Sequence, residues 1–113
     1  MTLSPAQTEA LVAIVAQWDA ADAAERTRWG VGLRGGIGVT TGTAPGSVAR
    51  DVRTLHALVA AGLLELTPRV ETADRLRRGA YGRWVTGAER LTYVTFLAKP
   101  TPAGRALSAI VAP

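Results

Sequence analysis

Hydrophobic side chains recur at helical spacing in three stretches of this chain and follow strand-like patterns in two others. The first helical stripe consists of Leu11, Ile14, Val15 and Trp18. Ser4 followed by Pro5 is a helix-start signal, with Ser as the N-cap and Pro at the first helical position. The pattern therefore predicts a helix that begins at Pro5 and ends near residue 24.

A second stripe lies in the middle of the chain and consists of Val48, Val52, Leu55 and the pair Leu58 and Val59. Its spacing of three to four residues predicts a helix over residues 46–61. Gly62 is a helix-stopping residue and ends it. Residues 63–70 then read as a strand that is interrupted near Pro68.

The predicted middle helix has an outward side that carries Ser47, Arg50, Arg53 and Thr54. These groups can donate hydrogen bonds to phosphates or to base edges. The alternative is that the two arginines only solvate an exposed helix, with Asp51 as a local charge partner. We favour a DNA-reading element.

The other segments are read from their turn and strand signals. Residues 29–46 hold seven glycines, which predicts a loop with a short strand at 37–40. A second helix is expected in this region or just after it. Residues 75–83 read as a basic loop and 91–97 as a strand. Residues 101–111 read as a short helix that begins with a Thr cap and a Pro.

Within the glycine-rich stretch, residues 30–35 fit the dinucleotide-binding pattern G-x-G-x-x-G. That pattern needs a hydrophobic strand before it and a helix after it. Here a polar, helix-like segment precedes it and more glycines follow, so we do not interpret it as a nucleotide site.

The charge of the chain is separated along its length. The 113 residues carry a net charge of +4, and twelve of the thirteen basic residues are arginine. Residues 1–25 hold four acids and no Lys or Arg, whereas residues 26–90 hold eleven Arg against five acids. A GC-rich genome also produces such an arginine excess. The distribution, however, predicts one face suited to a polyanion and an acidic first helix that serves as scaffold or dimerisation surface.

Several classes of site are not expected. The chain has no cysteine and a single histidine, His56, so a thiolate or histidine metal site and a Ser/His/Asp triad are not predicted. Paired carboxylates and a nucleophile beside a base are not evident either, so we expect neither an enzyme nor a cofactor. No apolar run is long enough to span a membrane, and the start does not resemble a signal peptide, which favours the cytoplasm.

Three stretches resemble the winged helix-turn-helix family of bacterial and phage DNA-binding proteins. The first is Ser47-Val48-Ala49-Arg50 with Val52 and Leu55. Residues 58–64 are similar to the Gly-Leu exit of that family's recognition helix, and residues 97–105 are similar to its ending of strand, Thr-Pro-x-Gly-Arg and helix. The match covers roughly residues 40–111.

The resemblance implies one α+β domain over residues 1–113, with three or four helices and a two- or three-stranded β-wing. An acidic N-terminal helix would occupy residues 1–25 and the helix-turn-helix region 40–64. The β-wing would occupy residues 63–98 and the C-terminal helix 101–112. The helix over 46–61 would enter the major groove, and a loop at 71–89 would form the wing.

The resemblance also implies roles for single residues. Ser47 would sit on a phosphate at the helix N-terminus. Arg50 and Arg53 would read bases or phosphates, with Thr54 beside them. The charge of the wing would come from Arg75, Arg77, Arg78 and Arg83.

The implied function is sequence-specific binding of double-stranded DNA by a homodimeric, repressor-like regulator in the nucleoid. A small-molecule inducer is left open. The alternatives are a winged helix that binds a host protein, or a replication or excision accessory protein.

Overall fold

A computed structural model describes the backbone of residues 2–78 and 84–112, and the side chains of residues 2–69 and 95–112. The fold is α+β, as predicted, and the described residues form three helices and a three-stranded antiparallel sheet. In chain order the elements are α1 (Pro5–Trp29), β1 (Ile37–Val39), α2 (Val52–Ala60), β2 (Leu64–Arg78), β3 (Trp84–Pro100) and α3 (Pro102–Val111).

Helix α1 begins at the predicted residue, Pro5, but it ends at Trp29, about five residues beyond the predicted end. The Ser4 side chain accepts a hydrogen bond from the backbone of Gln7, and the Gln7 side chain accepts one from the backbone of Ser4, which together form a capping box. The helix continues to Trp29 because nothing in residues 25–29 breaks it, and it ends at Gly30 in a left-handed conformation (φ 77°). An ion pair of 3.0 Å between Asp22 and Arg26 stabilises this last part.

The predicted inner face of α1 forms a large part of the core. Ala10, Leu11, Ile14, Val15 and Trp18 are all buried. The first four belong to one cluster with buried side chains of α2, the sheet and the connecting segments, which are Val39, Val48, Leu55, Leu58, Leu63, Leu64 and Ala98. The helical spacing therefore identified the buried side of α1 correctly.

Helix α2 is shorter than predicted. It spans Val52–Ala60 instead of 46–61, because Asp51 is its N-cap and Val48 lies in the irregular segment before it. The Val48 amide donates to the Thr40 carbonyl at 3.0 Å, and Thr41 and Ala49 form a parallel bridge. Val48 thus reaches the core from outside the helix. The helix stop at Gly62 (φ 75°) is confirmed.

The second helix expected between α1 and α2 is absent. Residues 30–51 are described throughout and contain strand β1, bends and turns, but no helix. The region 40–64 therefore contains one helix and not two. The short strand predicted at 37–40 is confirmed as β1, which pairs with β3 from Ile37 opposite Ala98 to Val39 opposite Phe96.

Strands β2 and β3 form a hairpin that is longer than predicted. They pair from Leu64 opposite Pro100 to Arg78 opposite Trp84, with an irregularity between Arg75 and Arg77. The loop predicted over 71–89 is wrong for 71–78 and 84–89, which are strand, and 79–83 lie outside the described residues. Pro68 does not interrupt β2, because β2 is an edge strand of the order β1-β3-β2.

Helix α3 starts at the predicted Thr101 cap, which also joins two parts of the molecule. The Thr101 side chain accepts a hydrogen bond from Gly104 N at 3.0 Å and donates one to the Gly62 carbonyl at 2.7 Å. A side chain at Gly104 would collide with the backbone carbonyl of Leu63. The Thr-Pro-x-Gly sequence therefore lets α3 begin directly against the end of α2.

Candidate nucleic-acid interface

Arg53 is the predicted site residue that the structure places on the outer side of α2. Its side chain is 89% exposed, and its guanidinium makes an ion pair of 3.2 Å with Asp51. The other oxygen of Asp51 accepts the backbone N–H of Arg53 at 2.9 Å. Asp51 thus caps the helix and orients the arginine with one carboxylate.

Arg50 is exposed but does not belong to the helix. It precedes the cap residue Asp51, in the segment that follows the bridge between Thr41 and Ala49. No ion-pair partner for Arg50 is found in the described part of the chain. The two predicted arginines therefore flank the start of α2 and do not share a face of one helix.

The placement of Ser47 at the helix N-terminus is wrong. Ser47 precedes the first helical residue, Val52, by five positions, because the helix begins late. Its hydroxyl oxygen is buried and has no hydrogen-bond partner among the residues that the structure describes. A hydroxyl in that position does not meet a phosphate on the surface without a local rearrangement. Thr54 is on the helix, but it is only half-exposed.

The electrostatics at the start of α2 also differ from expectation. The backbone N–H of Arg53 holds the pKa of Asp51 below its ordinary value, and the positive charge of the same arginine acts in the same direction. A helix N-terminus attracts anions through its free amides and its dipole. Here a carboxylate of the chain itself already occupies that position, so a phosphate would be contacted by the arginine side chains and not by the helix terminus.

The other predicted basic residues lie on or beside the hairpin. Arg75, Arg77 and Arg78 belong to the outer part of β2, where they stand opposite Glu89, Val85 and Trp84 of β3. These backbone positions correct the prediction that all three lie in a loop. Arg83 lies outside the described residues.

A basic, aromatic patch at the end of α1 contains none of the predicted site residues. Trp29 is 63% exposed, and the Arg28 guanidinium lies 5.0 Å from the centre of its ring. Val31 and Arg34 are exposed just beyond the helix. The helix was expected to end near residue 24, so the sequence did not place Arg28 and Trp29 together on it. The change from acidic to basic residues at Arg26 was the signal that could have located it.

Other kinds of site are not seen in the part of the chain that the structure describes. No group of three or more His, Cys, Asp or Glu side chains is arranged to hold a metal ion there. His56 is exposed and meets the edge of Phe96, with ring centres 6.4 Å apart. Among the described helices, none has the length and apolar character needed to cross a membrane.

Comparison with known proteins identifies no relative of this chain. No protein-family model matches the chain, and no curated protein or solved structure matches it significantly. The functional interpretation therefore rests on the residues and the geometry described above.

Proposed function

We propose that this chain is a small winged-helix protein that binds double-stranded DNA in a sequence-specific manner. It acts as a homodimeric, repressor-like regulator of bacterial or phage origin, in the nucleoid. The observation that carries the proposal is the outer side of α2, where Arg53 is exposed to solvent while Leu55 and Leu58 on the opposite side are buried in the core.

The dimensions of α2 suit the major groove. An α-helix with its side chains is about 10–12 Å in diameter. The major groove of B-form DNA is about 12 Å wide and admits one helix. With α2 in the groove, Arg53 is held toward the DNA by Asp51, and Arg50 lies beside the same end of the helix.

The outer part of the hairpin supports the role of a wing. Strand β1 pairs only with residues Phe96 to Ala98 of β3, so before Phe96 strand β3 has β2 as its one partner among the described strands, and residues 69–78 of β2 belong to a two-stranded arm. Ten residues of strand extend over roughly 33 Å. This two-stranded arm carries Arg75, Arg77 and Arg78 in its sequence, and we propose that these residues contact the phosphate backbone beside the groove.

The proposal is tested by selection of bound duplexes from a random pool. Recovery of one enriched motif is expected, and a palindrome would reveal a two-fold protein. Recovery of a pool without enrichment, together with weak binding at low salt, would reject sequence-specific recognition.

The wing has a separate test in the salt dependence of binding. The variant Arg77→Gln/Arg78→Gln is expected to bind all duplexes more weakly and to show a shallower slope of log affinity against log salt. The slope should decrease by about 0.9 for each phosphate that the variant no longer neutralises. A defect confined to one DNA sequence would show instead that these residues read bases.

A winged helix that binds a host protein is the second candidate, and the exposed Trp29 and Val31 favour it. Large aromatic side chains on a surface often mark protein contacts. Absence of DNA binding at low salt, combined with loss of partner binding in Trp29→Ala, would favour this function. The same contacts would also serve a replication or excision accessory protein.

A further inference from the structure

Helices α1 and α3 share an apolar outer face that the described residues leave open. A groove of about 510 Å³ runs between the two helices and is lined by Val12 and Ala16 of α1, by Ala106 and Ala109 of α3 and by Ala112 just after α3, among others. Val12 also borders a second apolar groove of about 270 Å³, which lies between the start of α1 and Val111. The two grooves therefore form one continuous face.

The charged groups on this face are placed at its two ends. Glu9 lies at the second groove, and no described residue provides it with an ion-pair partner. At the far end of the first groove, Arg105 of α3 pairs with Asp19 of α1 at 3.1 Å. Both side chains of this pair remain about half exposed, so the guanidinium has room for a second carboxylate.

A two-fold rotation would bring the two charged ends of this face together. Glu9 and Asp19 lie about 15 Å apart along α1, with their midpoint near residue 14. A second copy turned about an axis through this midpoint lies antiparallel on the first. It brings Glu9 of one copy to the Asp19 and Arg105 end of the other, and it places Val12 opposite Ala16. In this arrangement apolar residues face apolar residues and each Glu9 faces an Arg105, so the face is complementary to itself in apolarity and charge.

We propose that two copies of this chain associate through this face, with α1 antiparallel to α1 and α3 antiparallel to α3. Each end of the interface then holds one Arg105 guanidinium between two carboxylates, Asp19 of its own chain and Glu9 of the other. Small side chains at Ala16, Ala106 and Ala109 allow the helices to approach closely. Because residues 1–25 carry four acids and no Lys or Arg, this side of the molecule is repelled by DNA and is left for protein contact.

The first test measures mass by sedimentation equilibrium on the full chain, without DNA. We expect twice the chain mass of 11.8 kDa at micromolar concentration. The variant Ala16→Glu should raise the dimer dissociation constant at least about tenfold, because it buries two like charges at the interface. Ala24→Glu is the matched control: it makes the same change at an exposed alanine of α1 that lines neither groove, and it should not alter the mass.

A chain that stays at 11.8 kDa up to high concentration would overturn the proposal. An equal effect of Ala16→Glu and Ala24→Glu would overturn the face, and so would a dimer that both variants leave intact. Circular dichroism shows that each variant is folded, so that weaker association is not confused with unfolding.

The second test concerns the antiparallel arrangement. Glu9→Arg should weaken the dimer because it places a cation beside Arg105 of the other copy. Adding Arg105→Glu should restore much of the association, since the pair across the interface is re-formed with opposite sign. A double variant as weak as Glu9→Arg alone would reject this arrangement. The result does not depend on DNA binding, so a dimer without DNA affinity would leave this inference standing and reject only the proposed function.

Discussion

The N-termini of α2 and α3 are both capped by a side chain, but one cap also bonds to a distant part of the chain and the other to an arginine of its own helix. Thr101 caps α3 and also donates to the carbonyl of Gly62, thirty-nine residues away in sequence. Asp51 caps α2 and pairs with the guanidinium of Arg53, in the same helix. The start of α3 is therefore packed against another part of the molecule, whereas the start of α2 exposes its charged side chains to solvent. The comparison separates a structural junction from a surface available for recognition.

The strongest way to break the α3 junction is a side chain at Gly104. Gly104→Ala should destabilise the fold by about 1–3 kcal/mol, because the new methyl group collides with the Leu63 carbonyl and α3 must move. Thermal or denaturant unfolding measures the change. Gly38→Ala is the control: its new methyl group would meet no other atom, so the variant should have little effect on stability. Equal stability of the two variants would show that α3 can shift freely.

At the start of α2 the expected loss is in binding and not in stability. Arg50→Ala/Arg53→Ala should weaken specific DNA binding by about 1–3 kcal/mol for each base that the two arginines read. Both side chains are exposed, so the unfolding midpoint should hardly change. Titration of a selected duplex by fluorescence anisotropy tests this. Unchanged affinity in the double variant would remove α2 from the proposed interface.

A smaller structural effect is expected from Thr101 itself. Thr101→Ala removes the cap of α3 and the hydrogen bond to Gly62, and should reduce the free energy of unfolding by about 1–2 kcal/mol. Thr101→Ser keeps the hydroxyl and should retain most of the stability. If alanine and serine behave alike, the hydroxyl does not hold the junction.

The smallest effect is expected at Asp51, and it depends on pH. The pKa of Asp51 lies below its ordinary value of 3.8 in the folded chain, so the carboxylate stabilises the fold above that pH. This contribution disappears as the pH falls through the folded-state pKa. Asp51→Asn keeps a capping side chain without the charge, so it should be slightly less stable than the natural chain at pH 7 and equal to it in strong acid. A constant difference across pH would mean that the charge has no stabilising role.

The starts of two helices, the buried face of α1 and part of β3 could be predicted from the local sequence. Ser4-Pro5 and Thr101-Pro102 start α1 and α3 at the predicted residues, because a cap bonds to an amide two or three positions away. The spacing of Leu11, Ile14, Val15 and Trp18 identified the buried face of α1. The alternation around residues 91–97 indicated a strand, although β3 is much longer.

The candidate site was harder to predict from the sequence. The errors in its prediction arise where a residue contacts another part of the chain and not its immediate neighbours. Val48 has the right spacing for the α2 stripe, yet its amide bonds to Thr40 and keeps it out of the helix. Ser47 was assigned to a phosphate for the same reason. On the hairpin, residues 71–78 lack strand spacing, but β3 supplies their hydrogen-bond partners.

The amino-acid order alone determined where α1 and α3 begin, which side of α1 is apolar, and where acidic and basic charge are concentrated. Each of these depends on neighbours within one or two helical turns. Only the tertiary structure decided where α2 begins, how far the hairpin extends and that Thr101 meets Gly62. Those features depend on backbone groups far apart in sequence, whose pairing depends on how the whole chain packs and not on any single segment.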